Sequence, residues 1–224
     1  MNILFISLGC DKNLSDSEEM LGLLTERGHN IVNSEEEADA IVINTCCFIH
    51  DAKEESVETI LEMAEYKKAG SLKALIVTGC MAQRYKEEII QEIPEVDAVL
   101  GTTSYGDIVK ALDEVLKGKS FQEFRDINEL PAVSASRVLT TGGHFGYLKI
   151  AEGCDKHCTY CIIPSLRGRF RSIPEERLIQ QAEYMASQGV KELILVAQET
   201  TVYGTDIYGK KTLHLLLKKL CGIK

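Results

Sequence analysis

Cys154, Cys158 and Cys161 stand in the tight run C-x-x-x-C-x-x-C of EGCDKHCTYCIIP, while Cys10, Cys46 and Cys80 are scattered, each behind an apolar run: NILFISLGC, AIVINTC and ALIVTGC. Three thiolates hold a cubane iron–sulfur cluster and leave its fourth iron open to a ligand. Two such sets in one chain point to redox chemistry on a bound molecule rather than to a structural staple. A structural zinc site needs a fourth ligand at zinc-type spacing, and His157 falls inside the C-x-x-x-C loop, where it cannot easily join its neighbours. An iron–sulfur electron carrier normally ligates every iron with cysteine, and no fourth partner follows the run; that reading ranks second. The bland reading of a free cysteine is a small buried hydrophobe. It holds about even odds for any one of the scattered three, far less for three at equivalent positions. Cys47, directly behind Cys46, reads as packing, and Cys221 as incidental.

The elements that must position these thiols alternate. Residues 2–8, 40–44, 74–78 and 97–100 read as buried strands, being short apolar runs. Ser15-x-x-Glu18 reads as a capping box opening a helix that buries Met20, Leu23 and Leu24 and stops near Gly28. Asp51 and Glu54 open a second helix with Val57, Ile60, Leu61 and Ala64 as its apolar stripe and Gly70 as its cap. A third helix is expected around 83–92, and a fourth carries Ile108, Ala111, Leu112 and Val115 up to Gly118. Strands alternating with helices at this spacing imply an α/β domain with a parallel sheet. Each scattered cysteine then lies just past the carboxyl end of a strand, the edge where open α/β sheets bind ligands.

From residue 119 the rhythm breaks, which sets a first domain at 1–125, a linker at 126–143 and a second domain at 144–224. In the second domain a strand at 145–151 feeds the cysteine run. Ser172-x-x-Glu175, with Pro174 in the first turn, opens a helix with Leu178, Ala182 and Met185 inward; a strand at 192–197 and a helix at 211–220 follow. Two βα units cannot close a barrel or sheet by themselves, so either a partner completes it or the sequence is truncated.

The formal charge of −9 and a pI near 5.2 lower the case for a nucleic-acid substrate. No run of about 18 apolar residues is present, so no membrane partner is expected. MNILFISLGCDKN lacks a basic leader and enters a strand at once, which makes the cytoplasm the expected compartment and metal binding a better use of eight cysteines than disulfides.

The cysteine run behind the first strand of a βα domain, with Tyr160 before its last cysteine, resembles the radical S-adenosylmethionine superfamily. Together with SLGCDKNLSDSE, NTCCFI and VTGCMAQRY it resembles the methylthiotransferases over nearly the whole chain. The resemblance implies an auxiliary-cluster α/β domain followed by the start of a radical S-adenosylmethionine partial barrel. It assigns one [4Fe-4S] cluster to Cys154, Cys158 and Cys161, its open iron chelating S-adenosylmethionine for one-electron cleavage to a 5′-deoxyadenosyl radical. It assigns a second to Cys10, Cys46 and Cys80, which presents or donates sulfur; Cys47 stands where the family usually has glycine. A second S-adenosylmethionine supplies the methyl group, and an external electron donor is needed. Tyr160, Gln198 and Glu199 are the candidate contacts to S-adenosylmethionine.

IIPSLRGRFRS and VAQETTVYGTDIYGKK are similar to the branch that modifies an aspartate β-carbon of small-subunit ribosomal protein twelve. The alternative branch methylthiolates an adenosine beside the anticodon of tRNA. Arg167, Arg169 and Arg171 read equally as contacts to substrate or cofactor and as a solvated basic loop. Gly204–Lys211 nearly spells a phosphate-binding loop, but Lys211 takes the place of the Ser or Thr that would hold magnesium. Full-length relatives are expected to continue through the barrel into a small β domain, and residues 1–224 alone are expected to be inactive.

Overall fold

The computed structural model describes residues 1–131 and 137–223, in two compact units, Met1–Arg137 and Val138–Lys224. The first unit runs β1 (Asn2–Ser7), α1 (Asp11–Glu26), β2 (Asn30–Val32), β3 (Ala40–Thr45), α2 (His50–Lys68), β4 (Ala74–Gly79), α3 (Cys80–Tyr85), α4 (Glu87–Glu92), β5 (Ala98–Leu100), α5 (Ile108–Leu116) and β6 (Phe121–Glu123). The strands form one parallel sheet of six in the order β2-β1-β3-β4-β5-β6. The α/β expectation with a parallel sheet is borne out.

Every residue of β3 and of β4 is buried, the near-continuous apolar pattern of a strand covered on both faces. Successive side chains alternate faces. Ile3, Ala40, Val42, Ala74, Ile76, Ala98 and Leu100 pack with Met20 and Leu24 of α1 and with Ile108, Ala111, Leu112 and Val115 of α5. The intervening Ile41, Ile43, Leu75 and Val77 are also wholly buried, on the face that α2 and α3 cover.

Several local expectations change. Helix α1 begins at Asp11, ahead of the expected capping box, so Ser15 and Glu18 lie inside the helix and are buried. They bind Arg137 instead: its Nε donates to Glu18 Oε2 at 2.7 Å and its Nη2 to Ser15 Oγ at 3.1 Å. That arginine falls in the stretch expected as linker, and residues 132–136 of that stretch lie outside the described residues. The inward face of α2 is Ser56, Ile60, Met63 and Ala64, with Leu61 exposed. The helix expected at 83–92 is two short ones, parted at Lys86, whose φ of 41° breaks the helical path. The edge strands β2 and β6 were not expected at all; at three residues each they lack the length to show a pattern.

The second unit runs β7 (Phe145–Lys149), β8 (Ala151–Glu152), α6 (Ile163–Arg167), β9 (Arg171–Ser172), α7 (Glu175–Ser187), β10 (Glu192–Val196), α8 (Thr205–Tyr208) and α9 (Leu213–Leu220). Strands β7 and β10 pair in parallel, β8 and β9 antiparallel. Leu178, Ala182 and Met185 of α7 are buried as expected. A Cβ on Gly146 of β7 would lie 2.4 Å from Met185 Cε, so the glycine makes room for the helix. Pro174 caps α7, and Ser172 lies in β9: its N–H and hydroxyl both donate to Asp206, at 2.8 and 2.6 Å. Gly204 N–H donates to Ser172 Oγ at 2.9 Å, so the segment that resembles a phosphate loop commits its first amide and its carboxylate to the fold. No helix is long and apolar enough to cross a membrane among the described residues.

Candidate metal centres

Strands β1, β3 and β4 are immediate neighbours, in register at Ser7↔Asn44 and Thr45↔Gly79. Cys10, Cys46 and Cys80 follow their carboxyl ends, so the topology brings three thiols from distant sequence to one sheet edge. Two glycines let the loops close. Gly9 (φ +91°) sits so tightly that a Cβ there would lie 2.6 Å from Cys46 Cβ and 2.9 Å from Cys46 Sγ. Gly79 (φ +94°) lies against the β3 end: a Cβ would meet Asn44 Oδ1 at 2.3 Å and the Thr45 carbonyl at 2.5 Å. Both positions need a residue without a side chain, for sterics and for backbone angle.

Hydrogen bonds then lock the loops. Leu8 N–H donates to the Asn44 carbonyl at 2.9 Å, and Thr45 Oγ1 donates to the Thr78 carbonyl at 2.5 Å. Ser56, buried on α2, holds Cys46 by its backbone, its Oγ accepting from the Cys46 N–H at 3.0 Å and donating to the Cys46 carbonyl at 2.8 Å. Cys10 is the N-cap of α1, whose helix dipole places partial positive charge beside that loop. Cys10 is exposed, whereas Cys46 and Cys80 are each 6% exposed, and none of the eight cysteines is in a disulfide.

Cys47 is buried beside them. Burial first, then the neighbouring Cys80, push its thiol up to about 11, against the pull of a hydrogen-bonding Arg84. Among the described residues, the group of three whose ligand atoms all lie within 4.8 Å of one another is the exposed His50, Asp51 and Glu54. The donor set, three unbridged thiols at one sheet edge, fits a cluster.

The compact run is built differently. It follows β8 on a loop where Cys158 is exposed and Cys154 and Cys161 are partly covered. Backbone contacts shape it. Cys154 N–H donates to the Gly168 carbonyl at 3.1 Å, Cys161 N–H to the Cys158 carbonyl at 3.0 Å, and Phe170 N–H to Asp155 Oδ1 at 3.1 Å. A Cβ on Gly153 (φ +69°) would lie 2.0 Å from the Arg169 carbonyl, so the loop's entry presses on the chain before β9. His157 (φ 46°) turns the backbone between the first two cysteines. Three thiols on so short a loop again suit a cluster with one open corner.

Around this loop, Glu199 follows β10, whose carboxyl end is also that of its parallel partner β7. Lys156, between the first two cysteines, makes an ion pair with Glu199. The Lys156 ammonium, then the Thr201 hydroxyl and N–H, hold the Glu199 carboxyl down at about 2, so it is ionised at any ordinary pH. Gln198 Oε1 is buried without a hydrogen-bond partner among the described residues. Tyr160, by contrast, is 89% exposed.

The three arginines divide. Arg167 is buried, with Nη1 at 3.5 Å from Glu152 Oε1, an oxygen that Lys149 Nζ also approaches at 2.7 Å. Arg171 donates to the carbonyls of Arg167 and Arg169. Only Arg169 is exposed, so the basic stretch is largely internal scaffolding. Asn13, Ser56, Gly9 and Gly79 were missed as site residues. The signal for the glycines was present in LGC and TGC, whereas nothing local marks the serine or the asparagine.

Residues 2–101 match the family described as Uncharacterized protein family UPF0004, and residues 148–223 match the Radical SAM superfamily. Among curated proteins, the chain is 67% identical over 223 residues to ribosomal protein uS12 methylthiotransferase RimO of Lachnoclostridium phytofermentans, covering 100% of this chain and 51% of that protein. Proteins of the same name from a Thermoanaerobacter species and from Clostridioides difficile are 50% and 49% identical over 99% and 100% of this chain. The chain spans about half the length of these relatives. The resemblance to the radical S-adenosylmethionine methylthiotransferases drawn from the motifs is borne out along the chain.

Proposed function

We propose that this chain is the cluster-bearing part of a radical S-adenosylmethionine methylthiotransferase that acts on ribosomal protein uS12, replacing a C–H at an aspartate β-carbon with C–S–CH₃. The observation that carries this reading is the pair of cysteine triplets, one gathered by three adjacent strand ends and one on a single loop, in a chain 67% identical to a protein of that name. Cys154, Cys158 and Cys161 would hold the cluster that engages S-adenosylmethionine, and Cys10, Cys46 and Cys80 the auxiliary one. Such clusters supply the low-potential electron and the open coordination site for activating a C–H bond that no ordinary side chain can attack.

The chain's own residues prepare that chemistry. Lys156 ties the cysteine loop to Glu199, fixing the loop against the end of β10. Glu199, ionised and paired with Lys156, is the anion at this strand end that the ammonium of a bound S-adenosylmethionine would share. Gln198 presents a buried acceptor in need of a donor at the same strand end. Arg167 and Arg171 keep the backbone that receives Cys154 N–H in place. An external reductant is required, and the cytoplasm is the expected compartment.

The test is mass spectrometry of uS12 incubated anaerobically with reductant and S-adenosylmethionine, using either the full-length protein or residues 1–224. Full-length protein should exchange hydrogen for a methylthio group at one aspartate, and residues 1–224 should not. Methylthio-adenosine in tRNA with unmodified uS12 would overturn the substrate assignment.

A further inference from the structure

One side chain touches all three loops of the auxiliary site. Asn13 lies in the first turn of α1 and is wholly buried. Its Nδ2 donates to the Leu8 carbonyl at 3.0 Å, in the loop before Cys10, and to the Thr45 carbonyl at 2.9 Å, directly before Cys46. With both amide hydrogens so engaged, Oδ1 faces the third loop, where it accepts from the Cys80 thiol at 3.8 Å in the metal-free chain; a metal-bound thiolate, having no proton, would keep the proximity but not the hydrogen bond. The backbone carbonyl of Asn13 accepts from Asn44 Nδ2 at 2.9 Å, and that amide also donates to Ser17 Oγ at 2.9 Å, so Asn13 is itself held in place. The packing leaves no slack: a Cβ on Gly9 would lie 3.3 Å from Asn13 Nδ2.

A planar amide with two donors on one side and an acceptor on the other is the group this arrangement demands. Aspartate has the same shape but would set carboxylate oxygen against two carbonyl oxygens, turning two attractions into repulsions beside the thiolates. We propose that Asn13 is the positioning residue of the auxiliary centre: its two donated hydrogen bonds set the spacing of the loops that carry Cys10, Cys46 and Cys80, and its uncharged amide beside Cys80 helps set the potential of the cluster they hold. The inference rests on the reading that those three cysteines hold a cluster. Groups that orient metal ligands from outside the coordination sphere typically cost about 10–100-fold in metal affinity when replaced.

The test uses the 224-residue chain carrying Cys154, Cys158 and Cys161→Ala, so that all remaining iron reports on the auxiliary site. Iron retention against a chelator and the midpoint potential by spectroelectrochemistry are measured for this parent, for Asn13→Asp and for Leu24→Ala, a core change away from the cysteines. Iron affinity in Asn13→Asp should fall about 10–100-fold, and whatever cluster remains should reduce at a more negative potential, because an anion replaces a neutral amide. Leu24→Ala should lower the melting temperature while leaving iron and potential at parent values. Should Asn13→Asp not fold, Asn13→Ala replaces it, with the same fall in affinity expected. Parent affinity and potential in a folded Asn13 variant, or an equal iron loss in Leu24→Ala, would overturn the assignment of Asn13. A parent without iron would overturn the cluster reading itself and the inference with it.

Discussion

The two cysteine triplets solve one problem by opposite means. The compact run is local: three thiols on one loop, held by backbone hydrogen bonds to the chain around Gly168, with Cys158 open to solvent. The dispersed triplet depends on the whole sheet. Its thiols come from three strand ends, Cys46 and Cys80 are buried, and its loops are knitted by Asn13, Asn44 and Ser56. A local site depends on its own loop, whereas a dispersed one registers changes in the strand-end loops and in the first turns of α1 that knit them. The auxiliary site should thus respond to changes at those loops and their anchors, and the compact run should not.

The strongest way to break that contrast is at the buried pair that anchors α1, the helix capped by Cys10. Arg137 and Glu18 are 3% and 0% exposed, and removing one partner of a buried pair costs about 3–5 kcal/mol. Arg137→Ala should therefore lower the first unit's denaturation midpoint sharply and reduce iron at the auxiliary site, while the compact run keeps its own. Glycine substitutions sharpen the same comparison. Gly79→Ala forces a Cβ into the Thr45 backbone at a positive φ, which should cost about 2–4 kcal/mol and remove auxiliary iron. Gly153→Ala meets a still closer carbonyl; it should empty the compact run without moving the first unit's denaturant midpoint.

Smaller effects follow. Ser56→Ala leaves the buried Cys46 N–H without its acceptor, a loss of about 1–2 kcal/mol visible in urea unfolding and in faster alkylation of Cys46 in the metal-free chain. The smallest concerns Glu114, whose carboxyl the ammonium groups of Lys117 and Lys119 hold down at about 2, from an ordinary 4.5. A carboxylate depressed on folding stabilises above its unfolded pKa and loses that contribution as pH falls through the folded one. Glu114→Gln should thus differ slightly from wild type near neutrality and converge with it between about pH 4.5 and 2. Because the pair is made with exposed lysines at the end of α5 and in the turn after it, neither proposed iron site should respond.

Much of this was legible in the residues. The apolar runs before Cys10, Cys46 and Cys80 named β1, β3 and β4, and a parallel sheet then required the thiols to share an edge. The face of α5 was readable because Ile108, Ala111, Leu112 and Val115 follow helical period without interruption. What failed was chemistry that tertiary partners redirect. Ser15 and Glu18 have capping-box spacing but answer to Arg137, more than a hundred residues later. Ser172 has the same spacing before Glu175 and answers to Asp206. Asn13 was invisible for the same reason: its role lies in two carbonyls and a thiol from three loops, and no local pattern encodes that convergence.

The most direct test of two independent centres is iron and labile sulfide per chain after anaerobic reconstitution of the wild type and two variants, Cys10/Cys46/Cys80→Ala and Cys154/Cys158/Cys161→Ala. Two cubanes require about eight irons in the wild type and about four in each variant. Loss of all iron in either variant, or a wild type that binds zinc and little iron, would contradict the existence of two separate clusters.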